Sequence, residues 1–172
     1  GVFRKFALSV NLATGAATGT NGLTNFETIA GGAATDTLTG HNANSTWNMT
    51  GPDAGTVSNG SAVDFTSFEN LVGGSLNDSF SYNDVAGTSG TIDGGAGTNT
   101  LDFSGSTTGI TVDLGAGTVS GVGGITTNID NIIGSAGEDT LIGANQTNTW
   151  NITGNGTGSV NDFDFTGFEN LT

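Results

Sequence analysis

Cysteine is absent from the 172 residues, proline and histidine occur once each, and Lys and Arg together number two. Without cysteine there are no disulfides, no thiolate nucleophile and no Cys-type zinc site. With His41 as the lone histidine, a Ser-His-Asp triad would have to use a polar Gly-His-Asn-Ala-Asn loop, so catalysis finds no support and the chain is read as non-enzymatic. The two cations, Arg4 and Lys5, face 16 acids, for a net charge of −14. Such a surface repels phosphate backbones and excludes nucleic acid as a partner, while it attracts cations such as calcium. No apolar run is long enough to span a membrane, and no signal peptide is visible.

What is abundant is glycine, 31 residues, with Thr, Ser and Asn. All four are poor helix formers, and one proline without a three-residue glycine period excludes collagen. Apolar residues are spaced too regularly for a disordered chain. Gly-centred breaks at Gly31, Gly51, Gly73, Gly94, Gly115, Gly134 and Gly154 fall at steps of 19 to 22 residues. Aligned on that step, one column reads Ala17, Leu38, Val57, Phe80, Leu101, Val119, Leu141 and Val160. A second reads Phe26, Trp47, Phe68, Ile92, Val112, Ile129, Trp150 and Phe168. Apolar columns with polar neighbours describe strands with one face inward. The expectation is an all-β fold: a parallel β-solenoid of about eight rungs of roughly 20 residues. Glycines are expected at corners where φ is positive.

A longer repeat overlies the short one: residues 9–71 resemble 111–171. Trp47-Asn48-Met49-Thr50-Gly51 answers Trp150-Asn151-Ile152-Thr153-Gly154, and Asp64 to Leu71 answers Asp164 to Leu171. Residues 13–172 are assigned to the repeat region. Residues 1–12 form an N-terminal strand that is either a cap or a junction; Val2, Phe3 and Phe6 are apolar there, and the only cations are beside them. Trp47 and Trp150 are expected in the core. The acids following the second column (Glu27, Glu69, Asp93, Asp113, Asp130 and Glu169) are expected on a solvated face. Asn70, Asn131 and Asn170 are expected to hydrogen-bond their own backbone.

The glycine-rich segments resemble the Gly-Gly-x-Gly-x-Asp-x-(apolar)-x nonapeptide of RTX-type secreted bacterial proteins. The copies are Gly31 to Thr39, Gly73 to Ser81, Gly94 to Asp102 and Gly134 to Ile142, each departing from the motif at one position. The remaining segments resemble the strand repeats of large, repetitive bacterial surface proteins and adhesins. The first resemblance implies calcium held at the turns, with Asp36, Asp78, Asn99 and Asp139 as candidate ligands. Only Asp78 and Asn99 fall on adjacent rungs. Together the resemblances imply an extracellular or cell-surface location and a structural or adhesive segment of a large secreted protein. Its partners would be neighbouring repeats or copies of itself, with cell-surface glycans or matrix as targets. Two other readings stand beside this one: a filament or surface-layer subunit stacking head-to-tail, and a polysaccharide-active β-helix enzyme.

Overall fold

The computed structural model describes residues 6–84 and 86–172. The apolar and cationic residues expected at the extreme N-terminus, Val2, Phe3, Arg4 and Lys5, lie outside them. The described chain is all-β. The first long repeat carries β1 (Ser9–Asn11), β2 (Ala16–Ala17), β3 (Thr28–Ala30), β4 (Thr37–Thr39), β5 (Ser45–Gly51), β6 (Ala54–Ser58), β7 (Ala62–Thr66) and β8 (Asn70–Gly74). A spacer follows, with β9 (Asp78–Asn83), β10 (Ile92–Gly95) and β11 (Thr100–Gly105). The second long repeat carries β12 (Thr111–Asp113), β13 (Thr118–Val119), β14 (Thr126–Thr127), β15 (Asn131–Ile133) and β16 (Thr140–Ile142). It closes with β17 (Trp150–Gly154), β18 (Thr157–Val160), β19 (Phe163–Thr166) and β20 (Asn170–Leu171).

Three mixed sheets result. One runs β14-β10-β8-β4-β1-β2, a ten-stranded one runs β17-β18-β19-β15-β11-β9-β5-β6-β7-β3, and the third runs β13-β12-β16-β20. Like apolar residues stack where the pairing is parallel. Trp47 lies beside Phe80, Phe80 beside Leu101, Leu101 beside Ile132 and Ile132 beside Phe165. Val10, Leu38, Leu71 and Ile92 form a second such line. Alternation along each strand sends these residues into one continuous core and their hydroxyl or amide neighbours outward.

The column alignment predicts inward apolar residues well but misplaces the stacking. Ala17, Val57, Val119 and Val160 sit on return strands that pair antiparallel with β1, β5, β12 and β17. The steps between parallel partners are therefore uneven. They measure 21 residues across the spacer (Asp78 to Asn99) and 33 where the β5–β6–β7 meander intervenes (Ser45 to Asp78). The steps are unequal and some strands return antiparallel, so the pure parallel stack of eight equal rungs gives way to mixed sheets.

The corner glycines also serve a different purpose. Gly31, Gly73, Gly94 and Gly134 do not adopt positive φ. A Cβ on any of them would overlap the backbone oxygen of Ser67, Gly94, Asn128 or Gly167 on a neighbouring segment. Close backbone approach, not left-handed geometry, requires glycine there. Left-handed φ falls on other glycines, among them Gly95 (80°), Gly97 (100°) and Gly117 (67°), and on asparagine, at 54° for both Asn25 and Asn128, which occupy matching turns in the two repeats.

Candidate functional site

The four residues singled out as calcium ligands are all buried: Asp36 0%, Asp78 2%, Asn99 0% and Asp139 0% exposed. Backbone N–H groups surround them. Asp139 Oδ1 accepts from the Ile110 amide at 2.7 Å, and Oδ2 accepts from the Ser135 amide at 2.6 Å. Asp36 matches it one repeat earlier: Oδ1 accepts from Leu8 N–H at 2.6 Å, and Oδ2 accepts from Gly32 N–H. Asp78 Oδ1 accepts from Ser45 at 3.1 Å and Oδ2 from Gly74 at 2.6 Å. In each case one oxygen closes the turn four residues back and the other reaches a residue at, or just before, the start of an earlier strand.

A second tier of acids completes the corner. The amide of Asp36 donates to Glu69 Oε2 (2.7 Å), that of Asp139 to Glu169 Oε2 (2.8 Å), and that of Asn99 to Asp130 Oδ2 (2.7 Å). The acids read as a solvated face thus include three that bind backbone N–H groups of another segment. Asn70, Asn131 and Asn170 likewise reach across strands rather than to their own backbone, meeting Thr91, Thr100 and the Asp139 carbonyl.

Asn99 shows why an amide can replace an acid at one position only. The Gly95 amide, which would correspond to the Gly74 amide beside Asp78, donates to Asp93 Oδ1 instead. Asn99 therefore needs a single acceptor oxygen, which takes the Asp78 N–H at 2.9 Å, and its Nδ2 is free to donate to the Asn128 carbonyl at 3.0 Å. Of the four candidates, the structure brings only Asp78 and Asn99 together in a direct hydrogen bond.

This chemistry fits backbone bracing: each carboxylate accepts N–H groups from its own turn and from a neighbouring segment. Both oxygens of each aspartate face N–H donors. No group of three or more His, Cys, Asp or Glu side chains converges among the described residues. Burial raises the Asp78 carboxyl above the usual carboxylate range, against the opposing pull of its amide hydrogen bonds.

Two acids outside the repeat pattern escaped the sequence reading. Asp84 accepts from Ser106 Oγ (2.6 Å), the amides of Thr107 (2.8 Å) and Thr108 (3.1 Å), and Thr107 Oγ1 (2.5 Å), which holds its carboxyl well below the usual range. Asp53 accepts from both the amide and the hydroxyl of Ser89. The sole sequence signal for the first is the Ser106-Thr107-Thr108 run of donors. Over the brace lies a shallow polar groove lined by Asn44, Ser45, Thr46, Asn77, Ser79 and Thr98.

No family model matches the chain, and no curated protein and no solved structure matches it.

Proposed function

We propose that the chain is a β-solenoid segment with uneven coils, working as a structural or adhesive rod in a large secreted bacterial surface protein. The observation that carries this reading is the use to which the buried polar groups are put. Asp36, Asp78 and Asp139 each tie one coil to the next through backbone N–H groups, and Glu69, Asp130 and Glu169 repeat the device one tier out. Acids placed this way hold a stack together. The net charge of −14 suits a solvent-facing extracellular rod. In this proposal the amide brace takes the place that calcium holds in the RTX proteins the sequence resembles.

Antibody raised against the 172-residue chain and applied to intact bacteria that express the native protein tests the location. Labelling without permeabilisation is expected; labelling only after permeabilisation overturns the reading. Thermal melts test the brace. Equal midpoints in chelator and in millimolar calcium, at matched ionic strength, are expected, whereas a midpoint that climbs with calcium identifies an ion bound to the folded state.

A further inference from the structure

We infer that two copies of this chain join end to end through β17 of one and β3 of the other, extending the ten-stranded sheet across the junction. The inference rests on the proposed stack of coils and names its partner. β17 and β3 are the two edges of that sheet among the described residues. Following the pairings from one edge to the other, both strands run in the same direction, so copies related by translation meet with parallel strands.

Each edge has a counterpart inside the molecule that is already covered. β5, the counterpart of β17, is covered by β9 in parallel, with Trp47 opposite Phe80. β15, the counterpart of β3, is covered by β11 in parallel, and the Asn131 amide donates to the Asn99 carbonyl across that junction. The β12–β13 hairpin leaves β15 accessible to β11, so the matching β1–β2 hairpin leaves β3 accessible in the same way. A second line of contact is uncovered too. β14 pairs with β10, whereas its counterpart Leu23–Thr24 has no such strand partner among the described residues and is not a strand. Among the described residues, β20, the counterpart of β8, lacks the cover that β10 gives β8.

Hydrogen-bond parity leaves registers two residues apart, and the apolar line selects one of them. Asp64 N–H donates to the Glu27 carbonyl and Gly31 N–H to the Thr66 carbonyl, so residues 27, 29 and 31 direct their backbone groups toward β7. The backbone groups of Thr28 and Ala30 therefore face out. In β5 the Ser45 amide donates to the Asn77 carbonyl just ahead of the covering strand, so residues 45, 47 and 49 direct their backbone groups toward that strand. Trp150 and Ile152 of β17 match Trp47 and Met49 and face out. Parallel pairing then sets Trp150 opposite Ile29 and Asn151 opposite Ala30, continuing the apolar line Trp47, Phe80, Leu101, Ile132. A one-residue slip would set inward-facing groups against the edge. Ile152, 54% exposed where Met49 is 0%, is the apolar surface the junction would cover.

The absence of cysteine makes the register directly readable. Ala30→Cys and Asn151→Cys, both on exposed positions, are made as separate single variants, mixed and oxidised. Adjacent parallel strands bring such a pair within disulfide reach. The expected product is the mixed disulfide, in excess over either like pair, and the double variant should give a ladder of covalent oligomers. Sedimentation velocity of the unmodified chain should show species larger than the monomer whose share rises with concentration. It should also rise between roughly 0.05 and 0.5 M salt, as screening shortens the reach of the repulsion between like-charged copies. Ile152→Lys should abolish these species while melting as a folded protein. A monomer at every concentration and salt, or statistical mixing of the disulfides, would overturn the junction. Neither outcome bears on surface labelling of cells, so this inference and the proposed function can fail separately.

Discussion

β5 and β17 carry nearly the same sequence, Trp47-Asn48-Met49-Thr50-Gly51 and Trp150-Asn151-Ile152-Thr153-Gly154, and fold into the same three-stranded meander. Their aromatic packing matches as well. Trp47 meets Phe65 edge-on at 5.9 Å and 69°, and Trp150 meets Phe165 at 5.9 Å and 73°. Yet Trp47 is fully buried and Trp150 only partly so. The difference is β9, which stacks Phe80 on Trp47 at 5.2 Å and 18°. Nearly identical local sequence thus yields different burial, and the deciding factor is which strand lies alongside. Nearest-neighbour stacking of this kind makes each strand's stability a property of its interfaces.

Removing that neighbour should produce the largest effect. Phe80 is fully buried between Trp47 and Leu101, so Phe80→Asp places a charge without a partner in the core and costs on the order of several kcal/mol. In a Trp150→Phe background, Trp47 fluorescence should shift toward the exposed value and the melting midpoint should drop. A variant that melts with its parent would break the comparison at its root.

A graded effect is expected from the tryptophans themselves. Trp47→Ala empties a site closed on both sides and should cost ~3–5 kcal/mol, while Trp150→Ala, open on one side, should cost about half as much. Urea unfolding at low protein concentration, where copies are apart, measures both. Equal losses would mean that β9 adds nothing to the burial of Trp47.

How far the sequence foretells these features follows from the same physics. The inward residues are legible because strand alternation needs only local spacing: Leu38, Phe80, Leu101 and Leu141 are all buried. The pairing is not legible, since Val57 and Val160 look like rung residues although they sit on hairpin returns. Antiparallel and parallel strands share a period of two and differ only in direction. The acid column is recognisable as a motif, but its chemistry depends on Leu8, Ser45 and Ile110 amides that lie 28 to 33 residues away. The register that brings them there is set by tertiary pairing. Asp84 has no repeated counterpart, so periodicity passes over it.

The smallest effect concerns the join between the covering strand and the second repeat. Asp84 follows β9 and holds Ser106, Thr107 and Thr108 just ahead of β12, with its carboxyl depressed first by the Ser106 hydroxyl and then by Thr107. A depressed folded value means stabilisation present above the unfolded carboxylate range, near pH 3.9, and lost as pH falls through the lower folded value. Asp78 runs the other way: burial raises it, so its contribution is present below the unfolded range and is lost as pH rises through the raised value. Acidification from neutrality should therefore relieve Asp78 before it weakens Asp84. Comparing the melting midpoint of Asp84→Asn with the parent from pH 7 down to about pH 2 separates the two. The parent's advantage should be small, because Asp84 is exposed and its hydrogen bonds compete with water, and it should persist through mildly acidic pH and shrink only at the acid extreme, because the folded carboxyl is depressed. An advantage that fades already between pH 7 and 5 would assign the join to some group other than Asp84.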